Sequence, residues 1–350
     1  MSALHETLGQ EIEAQKQELA KTITEIHWAQ LSQKESREYD KYLQDAGYHL
    51  SYLAQAIAAA SLPLWTSYIE WVYVLFRGLR LDTRGVSSNL EIIEIELTKR
   101  FPESAALIHE YIARGLDVLA HPLNDAPSYL DAQQPHALLA RQYLDALRRG
   151  QRALAMRLVR DAIAQGTSIR DLYKYVFEPV QHEVGRLWQT NQINVAQEHY
   201  FTAATQLLMS QLYAEITNTP KNGRRMVATC IGSELHEIGL RMVTDYFEMD
   251  GWDTYYLGAN TPTKDILKTL DEFRVDLLAV SATMTYHVPF VKDLIASVRA
   301  ADPKRRTTIL VGGYPFNVEP ELWRHVGADG YASNAEKSVI KANALLNSGG

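Results

Sequence analysis

The hydrophobic period of this chain changes once, at TPKNGRR (219–225), and that change constrains the fold more than any other feature. Beyond it lie four short apolar runs, MVATCIG (226–232), DTYYLG (253–258), VDLLAVSAT (275–283) and TTILVGG (307–313), and a weaker one, DGYAS (329–333). Runs this short and rich in β-branched residues are strands, and amphipathic helical stretches separate them. One such helix is opened by Thr261-Pro262, read as N-cap and first-turn proline. Five β-α units joined by right-handed crossovers make a parallel sheet covered on both faces, in the flavodoxin-like order 2-1-3-4-5. A ligand in such a sheet binds at the carboxyl ends of strands 1 and 3, where the strand order reverses.

Ahead of the switch the period is helical throughout. Leu4, Leu8, Ile12, Leu19, Ile23 and Ile26 share one helical face, as do Leu64, Tyr68, Trp71, Val72, Leu75 and Leu79. Breaks fall at SLPL (61–64), LDTRGVSSN (81–89) and Pro102, and AHPLNDAPSY (120–129) is a domain boundary. The chain is therefore multidomain, α and α/β: an all-α domain over 1–128, a four-helix unit over 129–219 and the sheet domain over 222–350. In the second unit Ser168 with Asp171 forms a variant capping box, and the last helix starts near Asn194 and runs to about Ile216. The stretch WQTNQINVAQEH (188–199) is a helix–turn–helix corner, with Trp188 ending one helix and Glu198-His199 opening the next.

Composition excludes several classes. A single cysteine, Cys230, rules out an internal disulfide and a cysteine-based zinc cluster. A net charge of -7 without a Lys/Arg block argues against nucleic acid as main partner. No apolar run approaches the ~18 residues of a membrane span, and the acidic, amphipathic N-terminus is unlike a signal peptide, so the expected location is cytoplasmic.

Chemistry gathers at the strand ends. SELHEIG (233–239) follows strand 1, Ser281-Ala282-Thr283 ends strand 3 and Gly312-Gly313 ends strand 4. Neither GxGxxG nor a P-loop is present, so a phosphate-cradling loop is not indicated. Small and hydroxyl residues leave a slot beside the sheet, and His236 can project an imidazole over its mouth. Glu234, two residues earlier, can bond the far ring nitrogen and fix the tautomer of a metal-ligating histidine.

Glu234-x-His236-x-x-Gly239, Ser281-x-Thr283 and Gly312-Gly313 resemble the D-x-H-x-x-G, S-x-L and G-G signatures of base-off/His-on cobalamin-binding domains. The resemblance implies that the nucleotide tail threads the slot and that His236 is the lower axial cobalt ligand. Glu234 replaces the usual Asp, a methylene longer, which can loosen the His–carboxylate contact, and Thr283 replaces Leu. Cobalamin domains often carry a four-helix cap, and Trp188, nine residues, then Glu198-His199 is similar to the W-x9-E-H motif of adenosylcobalamin photoreceptors, the light-sensing repressors of carotenoid synthesis. In that family these residues cover the adenosyl group that light expels. The histidine that follows the Trp there is Gln189 here, which leaves His199, His182 or water for the upper site after photolysis.

The layout resembles the photocobilins, in which a helical domain binds biliverdin beside the cobalamin cap. That implies a bilin in 1–128, held without a thioether because Cys230 falls in strand 1, with Arg77, Arg80 and Arg84 as candidate propionate partners or a solvated basic loop. A haem-binding globin, with His49 or His109 as ligand, is the alternative for this domain. No substrate barrel of ~250 residues is present, which excludes an adenosylcobalamin mutase. The expectation is a non-enzymatic light sensor whose photolysis changes its cap and its homo-oligomeric assembly, acting on an unspecified downstream effector. The alternative is a corrinoid methyl-carrier of a methyltransferase system.

Overall fold

The computed structural model describes residues 3–31, 38–122, 126–304 and 306–348. Two compact units emerge: residues 1–124 with 284–289 and 314–326, and residues 125–283 with 290–313 and 327–350. Part of the expected boundary segment, residues 123–125, lies outside the described residues.

The first unit is built on α1 (Ala3–Ala14), α2 (Lys16–Gln30), α3 (Tyr39–Ala58), α4 (Leu62–Gly78), α5 (Arg84–Arg100) and α6 (Ala105–Ala120). Leu8, Ile12, Ile23, Leu50, Ile57, Trp65, Ile93 and Ile112 form its interior. Gly9 allows α1 to approach α3 closely, since a Cβ there would meet the Ala54 carbonyl oxygen at 2.4 Å. Ser61 caps α4, its hydroxyl accepting the Leu64 N–H at 3.4 Å. The break expected over 81–89 is shorter: α5 begins at Arg84, whose N–H is taken by the Asp82 carboxylate at 3.0 Å. Leu4, Trp71 and Leu79, placed on apolar faces by periodicity, are exposed.

The candidate ligand groups of this unit have ordinary partners. Arg84 pairs with Asp82 in solvent, and Arg77 stands over the Tyr73 ring at 5.8 Å. His109 is exposed and bonded to Glu94 at 2.7 Å. His49 is buried, its Nδ1 2.7 Å from the Tyr68 hydroxyl. Burial first, and the nearby His27 second, push its imidazole down to about 4.

The second unit begins with α7 (Ala137–Arg148) and α8 (Arg152–Ala164). Next comes one continuous helical rod: α9 (Ile169–Leu172), a π turn over Tyr173–Phe177 and α10 (Glu178–Gln189). Ser168 caps the rod, accepting the Asp171 N–H at 3.0 Å and donating to the Asp171 carboxylate at 2.7 Å. The corner after Trp188 closes at α11 (Val195–Ile216), where Asn194 and Gln197 form a reciprocal capping box.

The sheet follows as β1 (Arg225–Cys230), α12 (Ile238–Glu248), β2 (Asp253–Gly258), α13 (Thr263–Phe273), β3 (Leu277–Ser281), α14 (Val288–Ala301), β4 (Thr308–Gly312), α15 (Tyr314–Val318), α16 (Leu322–Val326), β5 (Gly330–Tyr331) and α17 (Ala335–Ser348). All pairings are parallel, in the order β2-β1-β3-β4-β5, as the β-α alternation predicts. Most strands stop short of the apolar runs that announced them, because the last residues of each run turn out into the loops. Thr261-Pro262 also differs from expectation. Pro262 occupies the capping position itself, and the Thr261 hydroxyl donates back to the Leu257 carbonyl at 3.4 Å. One continuous core joins the cap to the sheet: Tyr143, Phe177, Phe201 and Met209 cluster with Met226, Ala228, Phe247 and Leu277. Tyr173 in the π turn donates to the buried Asp245 of α12 at 2.7 Å.

His49 sets an acid limit on the helical unit. A histidine held neutral in the fold binds fewer protons than its unfolded counterpart between pH 4 and 6.5. Its stabilisation is complete above pH 6.5 and declines as pH falls towards 4. The expected loss across that window is about 3 kcal/mol. His49→Gln, which hydrogen-bonds without titrating, should flatten the decline in chemical denaturation monitored by circular dichroism. Equal slopes for the two proteins would remove His49 as the cause.

Candidate functional site

Between β1 and α12 the chain runs as an irregular loop, and its shape is fixed from outside. Ser233 is held at φ 68, with its N–H donated to the Asn260 side-chain oxygen at 2.8 Å. The Asn260 N–H returns to the Glu234 carbonyl at 3.2 Å. The loop after β2 thus pins the turn that carries Glu234 and His236.

Glu234 has no exposed surface. Its Oε1 accepts the His236 N–H at 3.0 Å and the His236 Nδ1–H at 2.6 Å. Its Oε2 accepts the Thr283 N–H at 2.7 Å, just past β3. The extra methylene does not loosen the His–carboxylate contact. One carboxylate reaches both the loop after β1 and the end of β3. The His236 side chain is 61% exposed, and the Glu234 hydrogen bond raises its pKa above the ordinary histidine value. The Glu198 charge in the cap adds to that rise. With Nδ1 donating to Glu234, the lone pair of the neutral ring sits on Nε2, which suits a single axial metal ligand.

The strand ends are in register: Cys230 pairs with Ser281, and Ser281 with Gly312. Gly313 is the tightest position in the row. At φ 101, a Cβ there would meet the Ala282 carbonyl oxygen at 2.0 Å. A Cβ on Gly312 would meet the Ala332 carbonyl oxygen at 3.1 Å. Gly239, in the first turn of α12, has open space where its side chain would be, with nothing within 4 Å. A cleft of about 270 Å³ opens beside the end of β1, lined by Ile231, Ser233, Thr261, Phe290 and Leu294 among others.

In the cap, Trp188 is half-buried and packs on the core next to the corner. Glu198 accepts the Thr202 hydroxyl at 3.1 Å and pairs with His199 at 3.4 Å, whose imidazole is 75% exposed. His182 stacks on Tyr129 at 5.2 Å. The structure therefore joins Glu234, His236 and Thr283 directly and brings Glu198 within electrostatic reach of His236, with Trp188 and His199 flanking the same corner as Glu198.

Two residues that sequence reasoning passed over support this arrangement. Asn260 fixes the loop as described. Glu237 accepts the Ala259 N–H at 2.9 Å and the Gln206 amide of α11 at 3.2 Å, tying loop to cap. The available signal was Asn260, a turn-forming residue just past the end of β2.

Comparison with known proteins identifies the class. Residues 224–340 match a family described as B12 binding domain, and residues 139–213 match a second family of the same description. Cap and sheet domain together form a cobalamin-binding module.

Among the proteins it is similar to is dimethylamine corrinoid protein 2 of Methanosarcina acetivorans, 30% identical over 146 residues, 41% of this chain and 65% of that protein. Dimethylamine corrinoid protein 1 of the same organism is 27% identical over 171 residues, 47% of this chain and 78% of that protein. The monomethylamine corrinoid protein of Methanosarcina barkeri has the same fold over 60% of this chain and 100% of its own, at 22% identity and a TM-score of 0.53. Among the described residues no helix is long and apolar enough to cross a membrane.

The two kinds of glycine separate in experiment. Gly313→Ala should lower the melting temperature of the cofactor-free chain, because left-handed strain of about 1–2 kcal/mol adds to a backbone clash. Gly239→Ala should leave that temperature unchanged or slightly raised, yet weaken cobalamin binding by tenfold or more in equilibrium dialysis. Tight binding by Gly239→Ala would show that its open space is not used by the cofactor.

Proposed function

We propose that this protein holds cobalamin base-off with His236 as lower axial ligand, and that it acts as a light sensor whose cap reads an adenosyl group on the upper face. The donor set fits: a carboxylate-oriented imidazole with Nε2 available, a row of small residues at the strand ends, and a helical cap. When bound, the corrinoid supplies either a light-labile bond to an adenosyl group or a transferable methyl group, according to its upper ligand.

Trp188 and Glu198, at the corner of the helical cap, would carry the choice between them. Trp188 offers an aromatic face for stacking, and Glu198 offers a carboxylate for hydroxyl donors. A methyl group uses neither, whereas an adenosyl group has both an aromatic base and ribose hydroxyls. Were adenosylcobalamin bound there, loss of the adenosyl group would withdraw its contacts from Trp188 and Glu198 and free the α10–α11 corner to move. In this reading the output is a change of homo-oligomeric assembly or of a partner's binding, with no reaction turned over. The aromatic-rich N-terminal helical unit is the proposed seat of non-covalent biliverdin as second chromophore.

The second reading is a corrinoid methyl-carrier of a methyltransferase system. The comparisons support it better than light sensing, since the similar proteins are named as methylamine corrinoid proteins. Their alignments cover at most 47% of this chain for the two relatives, and both B12-binding matches begin after residue 138, beyond the N-terminal helices.

One absorption experiment separates the readings. The protein is produced with adenosylcobalamin and biliverdin available, freed of unbound pigment in the dark, and scanned before and after green light. Cobalamin bands that change in light together with a light-dependent change in chromatographic size support the sensor, and an added red band supports the bilin. Preference for methylcobalamin with no light-dependent change in size supports the carrier. Trp188→Ala is expected to weaken adenosylcobalamin about tenfold, about 1.4 kcal/mol, with methylcobalamin nearly unaffected. Equal losses for the two would remove the adenosyl role.

A further inference from the structure

The compact unit that contains the N-terminal helices also claims residues 284–289 and 314–326. These stretches follow directly on Thr283 and Gly313, the ends of the two strand-end motifs. A β-α connection in a parallel sheet has no inherent need to pack with a separate helical unit, so what holds these two loops bears on the site they leave.

The loop after β3 is held by aromatic rings. Tyr286 lies edge-on to Tyr52 at 5.4 Å and tilted against Tyr48 at 5.9 Å. Tyr52 stacks on Tyr68 at 3.7 Å, and its hydroxyl donates to the Met284 sulfur at 3.8 Å. Tyr68 in turn meets His49 in the interior of the helical unit. Within the loop, the His287 N–H closes on the Met284 carbonyl at 2.9 Å, so Met284 to His287 is a single tight turn. The loop after β4 has its own tie, the Ser61 hydroxyl donating to Glu319 at 2.9 Å from the residue that caps α4.

Met284 is one peptide bond from Thr283, and the Thr283 N–H is the donor that orients Glu234 Oε2. The planar peptide unit carries a displacement at Met284 to the Thr283 Cα, and only the φ and ψ of Thr283 lie between that unit and the Thr283 N–H. We infer that Tyr286 and Tyr52 are positioning residues for the Glu234–His236 pair: helices α3 and α4 hold the turn after β3, and through it the carboxylate that aims the lower cobalt ligand. The inference rests on the reading of His236 as that ligand. Repacking of α3 against α4 changes the hold on His236, and by reciprocity ligation at His236 changes the packing of those helices.

The test uses the full chain and two measurements. In the cofactor-free protein, hydrogen–deuterium exchange across 279–287 should quicken at least tenfold at the Thr283 amide in Tyr286→Ala, with β1 and α11 unchanged. Tyr286→Phe keeps the ring contacts and should match the parent. In the protein loaded with Co(II) cobalamin, the fraction of spins with axial-nitrogen coupling in paramagnetic resonance should fall at least threefold in Tyr286→Ala, and not in Tyr286→Phe. Unchanged exchange at Thr283 overturns the tether. Quickened exchange with undiminished axial coupling overturns its link to His236. Absence of axial coupling in the parent overturns the His-on reading and the link that rests on it, while the exchange measurement still decides the tether.

Discussion

A carboxylate taken wholly out of water is destabilising unless hydrogen-bond donors replace its solvation. Glu234 meets that condition with donors from two parts of the chain, the His236 amide and ring on one side and the Thr283 amide on the other. The same bonds that permit its burial decide where the loop after β1 lies relative to β3. Removing any one donor leaves a buried charge short of a partner, which is why the loop needs no regular secondary structure to keep its shape. The imidazole above it inherits that order. Its tautomer, its orientation and the larger part of its raised basicity trace to one side chain that no solvent reaches, with the Glu198 charge adding to the last.

Much of this was legible in the sequence because it depends on local pattern. The strand order follows from β-α alternation, the start of α11 from Asn194, and the position of His236 from its distance past an apolar run. The positions that escaped notice act over long separations. Asn260 looks like any turn asparagine until Ser233, 27 residues earlier, is found donating to it. Glu237 lies inside the motif at one of its unspecified positions, yet its partners are at Gln206 and Ala259. Nothing in TMTYH (283–287) announces that a loop between β3 and α14 joins a compact unit formed mainly by residues 1–124. Chain periodicity reports which face is buried, and it is silent about which distant neighbour buries it.

The contrast between Gly313 and Gly239 illustrates two reasons a chain keeps a glycine. At Gly313 the backbone conformation and the neighbouring carbonyl demand it in the folded chain itself. At Gly239 the fold alone would tolerate a side chain, since nothing lies within 4 Å of where one would be. The motif spells both with one letter, and the coordinates tell them apart.

The π turn at Tyr173–Phe177 has a consequence for the cap as a whole. A π turn accommodates one residue more than the surrounding α-helix, and each residue advances an α-helix by about 100°. The segment therefore sets the angular phase of everything downstream in the rod, Trp188 included. Two headings are set there: Tyr173 faces α12, where Asp245 holds it, and Trp188 packs on the core next to the corner. A uniform helix fixes both headings by their spacing alone. The π turn shifts that spacing by one residue, so Trp188 takes a heading about 100° away from the one an unbroken α-helix through Tyr173 would give it.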